Sequence, residues 1–255
     1  MNIETKKKLI TLGLSDLVEA IENQENDTSL IGKSFSERIE ILSEEISSIR
    51  YNKLVAKLIT NASFKYSSAN INSVDSELRG VEKDIIMNLG ELGFINTATN
   101  IMIVGPTGSG KTYLGCALGV EACKNTYRTF YIRMQDLTRK IDDYSSSPKQ
   151  LKLFLKRLAN YKLLIIDEWL TNKPSDRDIK FIYELMDLRS DIFSTILITQ
   201  YDIDTWHDRL SGGQHADSIM DRLLSNHYEV SSSENNIRKI LGKEKAESFS
   251  KSLTK

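Results

Sequence analysis

The sequence predicts a three-layer α/β domain built on a parallel sheet, preceded by a small all-helical module. Three observations predict it. Four short β-rich runs, Ile101–Val104, Thr129–Ile132, Leu163–Ile166 and Thr195–Thr199, alternate with segments of helical period, the pattern of βαβ units. These runs are continuously apolar rather than alternating, as strands buried on both faces require. Ahead of Thr60, by contrast, apolar residues recur only at helical spacing.

The helical module comes first. Leu9, Leu12, Leu17, Val18 and Ile21 mark a helix from residue 5 to about 24, and Asn26-Asp27-Thr28-Ser29 reads as a loop. A second helix starts at Ser34-Phe35-Ser36-Glu37, which has the form of a capping box. It carries an apolar stripe of Phe35, Ile39, Leu42, Ile46 and Ile49, continued by Leu54, Val55 and Leu58. Beyond Thr60 the chain is polar and rich in Ser and Asn, so it reads as a linker, and residues 1–70 as the module. Residues 71–255 form the α/β domain.

Composition bounds the function. The chain has 255 residues, 40% hydrophobic and 27% charged, enough apolar material to exclude wholesale disorder. Lys+Arg 34 against Asp+Glu 35 excludes a uniformly basic coat for nucleic acid but leaves room for local patches. No apolar run approaches the roughly 18 residues of a membrane span, and the N-terminus does not read as a signal peptide. Cys116 and Cys123 share one helical segment and suggest neither a disulfide framework nor a zinc site. His207, His215 and His227 share no metal-ligand spacing. A cytoplasmic protein with no membrane partner is expected.

The chemistry begins with Gly105-Pro106-Thr107-Gly108-Ser109-Gly110-Lys111-Thr112-Tyr113, a complete Walker A loop directly after the first strand. Its glycines permit a backbone nest whose N–H groups cradle phosphates at a helix N-terminus. Lys111 would reach the β- and γ-phosphates, and the Thr112 hydroxyl would bind Mg²⁺. Average composition yields the pattern by chance in roughly one chain of this length in a hundred. Leu163-Leu164-Ile165-Ile166-Asp167-Glu168 matches as a Walker B strand. It delivers Asp167 toward the Mg²⁺ shell and Glu168 as the group that polarises the attacking water. Thr199 and Gln200 end the next strand. If that strand lies between the Walker A and Walker B strands, either side chain would face the γ-phosphate; the bland reading is a strand-terminating Thr. Arg222 follows Asp221 in a helical segment, and either projects toward a neighbouring subunit's nucleotide or forms a surface ion pair.

Two look-alikes fail. Leu210-Ser211-Gly212-Gly213-Gln214 spells an ABC-type signature but lies downstream of the Walker B strand instead of upstream, so it reads as a turn between helices. Asn172-Lys173-Pro174-Ser175 lacks the carboxylate that reads guanine, which favours ATP.

Basic residues cluster locally. The run 128–162 includes Arg133, Arg139, Lys140, Lys149, Lys152, Lys156 and Arg157, opposed by Asp136, Asp142 and Asp143. Arg50, Lys53 and Lys57 sit among Tyr51, Phe64 and Tyr66 in a stretch without acids, and the tail from Arg238 onward is basic too. Such stripes suit contact with a nucleic-acid backbone, or are solvated helix faces.

With these motifs in place, the sequence resembles the IstB-type AAA+ ATPases, transposition helpers of insertion sequences related to DnaC-type helicase loaders. The resemblance covers nearly the whole chain. It takes in the Asn236-Ile237-Arg238-Lys239 ending, and its specific carriers are Cys116-Ala117-Leu118-Gly119 after the loop, Trp169 after Walker B, Trp206-His207 and Asp221-Arg222-Leu223. It implies an AAA+ P-loop core with a reduced lid and Arg222 as a finger acting in trans. It also implies Thr199 or Gln200 as first sensor and Arg238 as a second γ-phosphate sensor. It further implies homo-oligomers formed with ATP and Mg²⁺ on double-stranded DNA, and a transposase partner. The chain departs from the family in Glu168, where many relatives carry a second aspartate, and in Leu170, where glycine is usual. Three rivals remain at this point: a helicase loader on single-stranded DNA, a P-loop kinase, and a DNA-binding adaptor that holds ATP without hydrolysing it.

Overall fold

The computed structural model describes residues 1–232, 235–237 and 239–240. The chain forms two compact units, Met1–Lys57 and Leu58–Lys255. No helix of the described residues is long and apolar enough to cross a membrane.

In the first unit, α1 (Ile3–Thr11) is capped by Asn2, whose side chain accepts from the N–H groups of Glu4 and Thr5. The single helix expected over 5–24 is instead two, because Gly13 adopts φ +75° and the chain restarts as α2 (Ser15–Asn26). The expected capping box is present. Ser34 N–H donates to the Glu37 carboxylate at 2.7 Å, and Glu37 N–H returns a bond to Ser34 Oγ at 3.4 Å. It opens α3 (Phe35–Ala62), inside which the division between the units falls. The stripe expected on α3 is only partly buried. Leu42 is 8% exposed, but Phe35 is 80% and Ile39 46%.

The stretch after α3 is not a loose linker. Ala69 and Ile71 are buried in the core of the second unit and Phe64 packs against the same core. Sequence reading missed this because the apolar residues there are spaced irregularly among Ser and Asn. Three short helices follow: α4 (Ser76–Arg79), α5 (Lys83–Gly90) and α6 (Gly93–Asn96). The αβ alternation then runs β1 (Asn100–Val104), α7 (Lys111–Lys124), β2 (Thr129–Arg133), α8 (Met134–Asp143), α9 (Pro148–Ala159), β3 (Leu163–Asp167) and α10 (Asp176–Arg189). It ends with β4 (Ser194–Thr199), α11 (Trp206–Arg209), α12 (Gly213–Leu224) and β5 (His227–Ser231).

The five strands form one parallel sheet in the order β2-β3-β4-β1-β5. β4 therefore lies between the Walker strands, the arrangement on which the reading of Thr199 and Gln200 depended. β5 has no apolar run to announce it. It is an edge strand with only Val230 buried, so it carries no two-faced signal.

Alternate residues of each strand enter opposite cores. Ile101, Ile103, Leu163, Ile165, Ile196 and Ile198 face α7 and the segment before β1. Met102, Val104, Leu164, Ile166 and Leu197 face the layer of α8–α12. Each fully buried aliphatic side chain contributes roughly 1.5–3 kcal/mol, so the two-sided burial fixes the strand register. α7 lies close against the sheet because its face is small. A Cβ at Gly119 would stand 2.4 Å from Phe64 Cε1 and 2.8 Å from Ile165 Cδ1, so glycine makes the room that Phe64 fills.

Arg189 ties the second layer together. Its buried guanidinium donates to the carbonyls of Leu158, Ala159, Tyr161 and Ser194 and to Thr195 Oγ1. It thereby joins the end of α9 to the start of β4.

Candidate functional site

The site lies at the C-terminal edge of β1, β3 and β4, where open parallel sheets place their ligands. Leaving β1, Gly105, Gly108 and Gly110 adopt φ of +149°, +92° and +84°. L side chains rarely adopt these conformations, so the glycines permit the nest form of the backbone that suits a phosphate. Lys111 Nζ donates to the carbonyls of Gly105 and Pro106 at 2.5 and 2.7 Å. Burial lowers its pKa to about 8, against the opposing pull of Asp167. Ser109 is buried and shares a 2.7 Å hydrogen bond with Ser232, just past β5.

Asp167 is 2% exposed and ends β3. Its Oδ2 accepts from Thr112 Oγ1 at 2.9 Å and from Tyr131 OH at 2.7 Å, and its Oδ1 accepts from Glu168 N–H at 2.9 Å. Thr112 and Asp167 are thus paired as a hydroxyl and a carboxylate, the oxygen donors that suit Mg²⁺. Tyr131 was not singled out from the sequence. It sits in β2, beside Ile165 of β3, and only strand pairing reveals that its hydroxyl reaches the carboxylate. Burial and the neighbouring Asp167 push its pKa well above the usual tyrosine range, so it acts as a donor.

Glu168 and Leu170 take φ of +58° and +54°, a left-handed region that costs a non-glycine residue about 1–2 kcal/mol. Glu168 lines the cleft while Trp169 and Leu170 are fully buried. This geometry shows why glycine suits position 170; the burial of the Leu170 side chain offsets the strain. Trp169 meets Trp206 edge-on, with ring centroids 5.9 Å apart. Arg209, another residue not identified from the sequence, fixes the turn by donating to the carbonyls of Leu170 and Thr171.

At the end of β4, the Thr199 hydroxyl donates to the Trp169 carbonyl at 2.9 Å and accepts from Tyr201 N–H at 3.1 Å. Gln200 is exposed, and its Oε1 accepts from Thr107 Oγ1 at 2.8 Å. Thr107, Lys111, Thr112, Asp167, Glu168 and Gln200 line a cleft of about 120 Å³, into which Lys65 also reaches. Tyr113 turns its ring toward Tyr66 and Arg79.

Arg222 is not among the residues lining that cleft. It stands on α12, bonded to Asp187 Oδ1 of α10 at 2.5 and 2.9 Å and to the Ser218 carbonyl, with its guanidinium 4.9 Å from the Tyr183 ring centre. Asp187 holds its pKa above the ordinary value. Arg238 and most of the basic tail lie outside the described residues. The turn expected at Ser211-Gly212-Gly213 is present between α11 and α12.

The two basic stripes differ once folded. Arg133, Arg139, Lys140 and Arg157 line one groove along β2, together with Tyr144 and Phe154. Arg133 and Arg139 share Asp136, each at 2.7 Å. Lys149, Lys152 and Lys156 are exposed on α9. In the first unit the stretch lacking acids in sequence gains them by folding. Asp16 of α2 binds Arg50 and Lys53, and Glu19 binds Lys53 as well, while Lys57 is exposed.

A parallel sheet with a nucleotide loop after one strand, a carboxylate pair at the end of another and a polar strand end between them defines a P-loop ATPase of the AAA+ type. The chain belongs to the family of IstB-like ATP binding proteins, matched over residues 7–247. It is 27% identical to insertion sequence ATP-binding protein y4uH of Sinorhizobium fredii over 236 residues, 92% of this chain and 95% of that one. It is 29% identical to the ATP-binding protein of insertion sequence IS232 from Bacillus thuringiensis subsp. berliner, covering 89% of this chain and 87% of that one. The crystal structure of the DnaC helicase loader shares the fold, with a TM-score of 0.54 at 19% identity over 66% of this chain and 99% of that one.

Proposed function

We propose that this ATPase assembles with ATP and Mg²⁺ into homo-oligomers on double-stranded DNA and recruits or activates a transposase, acting in the cytoplasm. The groove of Arg133, Arg139, Lys140 and Arg157 carries this reading. A cationic surface beside an ATP site suits a protein whose relatives are named for insertion sequences. Lys111 exchanges the loop carbonyls for the β- and γ-phosphates. Thr112 and Asp167 would hold Mg²⁺, which would supply charge neutralisation for the phosphate oxygens. Glu168 accepts a proton from water as the water oxygen bonds to the γ-phosphorus and the bond to the β–γ bridging oxygen breaks. Gln200, anchored to Thr107, orients that water or the γ-phosphate. Arg222 of a neighbouring copy exchanges Asp187 for the γ-phosphate and completes the site. Arg238 is the further candidate for that phosphate.

The test is the assembly state of Glu168→Gln, which holds ATP without turning it over. Light scattering with ATP should show large particles on duplex DNA and few on single strands. Preference for single strands would support a helicase loader instead, and a monomer under every condition would remove the oligomer and the role of Arg222.

A further inference from the structure

Arg79 ends α4 with a side chain whose bonding is incomplete. The residue is 6% exposed, and no carboxylate among the described residues lies within ion-pair distance of it. Its Nη1 donates to the Asp75 carbonyl at 3.0 Å, its guanidinium lies 5.4 Å from the Tyr113 ring centre, and its Nε has no hydrogen-bond partner. Arg189 shows how this fold satisfies a buried guanidinium when no ligand is involved, with five acceptors around it. Arg79 has one. A buried charge left this way is strongly unfavourable unless an anion completes it.

The place where that anion would sit is well defined. A Cβ added to Gly110 would lie 2.8 Å from Arg79 Nε and 3.0 Å from Nη2, so the free N–H edge stands against the last glycine of the phosphate loop. Gly110 opens α7, whose 14 residues direct the positive end of the helix dipole at the same point. A cation at the positive end of a helix is unfavourable by itself and favourable once a phosphate lies between them. Lys111 and Thr112, which would serve the β- and γ-phosphates, line the Glu168 cleft, whereas Gly110 and Tyr113 do not. α4 is also held in place, because Asn235 Nδ2 donates to the Leu78 carbonyl at 3.2 Å.

We propose that Arg79 is a nucleotide-binding residue whose Nε–H and Nη2 donate to the α-phosphate of the bound adenine nucleotide. The α-phosphate is common to ATP and ADP, so Arg79 anchors both and does not sense hydrolysis. This separates it from Lys111, Gln200 and Arg222, whose partners include the γ-phosphate.

The experiment uses the full chain and titrates ADP and ATP separately by calorimetry. Arg79→Met should weaken both by a similar factor, about tenfold to a hundredfold, the usual effect of losing a charge-assisted hydrogen bond. Arg79→Lys should recover part of the loss through its charge. In ³¹P spectra of bound ADP, Arg79→Lys should move the α-phosphate resonance more than the β. Lys111→Ala serves as the control in which phosphate binding itself fails. Because Arg79→Met could also alter folding, the ADP-induced rise in melting temperature is compared with each variant's own nucleotide-free value. An undiminished rise, unchanged ADP affinity, or a loss confined to ATP would overturn the proposal.

Discussion

Tyr131→Phe isolates one hydrogen bond at the centre of the ATP site. The ring is 6% exposed and packs in the core beneath α7, and phenylalanine preserves that packing. What disappears is a 2.7 Å bond to Asp167 Oδ2. A hydrogen bond to a charged group contributes about 1.5–3 kcal/mol, more than a neutral one. Asp167 Oδ2 keeps Thr112 as a second donor at 2.9 Å, so the oxygen is not orphaned and the stability cost should fall near the lower bound. At about 2–4 °C per kcal/mol for a chain of this size, the melting temperature should drop by roughly 3–6 °C. The functional effect should be larger than the structural one. Partners that orient a metal-binding carboxylate typically change metal affinity by about tenfold to a hundredfold. Steady-state ATPase titrated with Mg²⁺ should show the half-saturating concentration raised by about that factor, with the rate at saturating Mg²⁺ largely restored. A variant with the wild-type Mg²⁺ dependence would refute the claim that Tyr131 positions Asp167 for the metal.

Lys111 should make nucleotide binding pH-dependent. Burial depresses its pKa from 10.5 to about 8, so the folded protein loses this proton before the unfolded chain does. Its share of stability therefore rises between pH 8 and 10.5, while affinity for phosphate, which needs the ammonium form, falls as pH climbs past 8. Calorimetry in buffers of different ionisation enthalpy should show proton uptake on binding above pH 8, and a pH-independent affinity from 7 to 9.5 would contradict this. Arg189→Met should destabilise the second unit by about 3–5 kcal/mol, since it strands buried carbonyls at the end of α9 and the start of β4; urea denaturation followed by fluorescence measures it, and a loss below about 1 kcal/mol would contradict the tie. Reversing Lys152, Lys156 and Arg157 to glutamate should weaken DNA binding and flatten its salt dependence while leaving ADP affinity intact. An unchanged salt titration would remove α9 from the DNA surface.

The Walker motifs were legible because their chemistry is local. A phosphate nest needs glycines at fixed offsets, and a buried strand must deliver its carboxylate at a fixed end, so Gly105–Thr112 and Asp167-Glu168 declare themselves in one dimension. The four core strands were legible for a related reason, since two-sided burial demands an unbroken apolar run. β5 escaped because an edge strand with one buried residue makes no such demand. Residues 63–71 escaped because they pack through irregularly spaced side chains that have no period to detect.

The sequence by itself determined the parallel α/β architecture, the phosphate loop, and the places in the chain of the Thr112 hydroxyl, the Asp167 carboxylate and Glu168 proposed for metal and water. Only the tertiary structure decided which charges are neutralised and which polar groups meet. Asp16 cancels part of a stripe that holds no acid in sequence, and Asp187 occupies Arg222. Tyr131 finds Asp167 across a strand pairing, and Arg79 reaches Gly110 from a helix that precedes the sheet. Those encounters join residues 30 or more positions apart. Their distances are set by strand order and helix packing, which no local pattern of residues encodes.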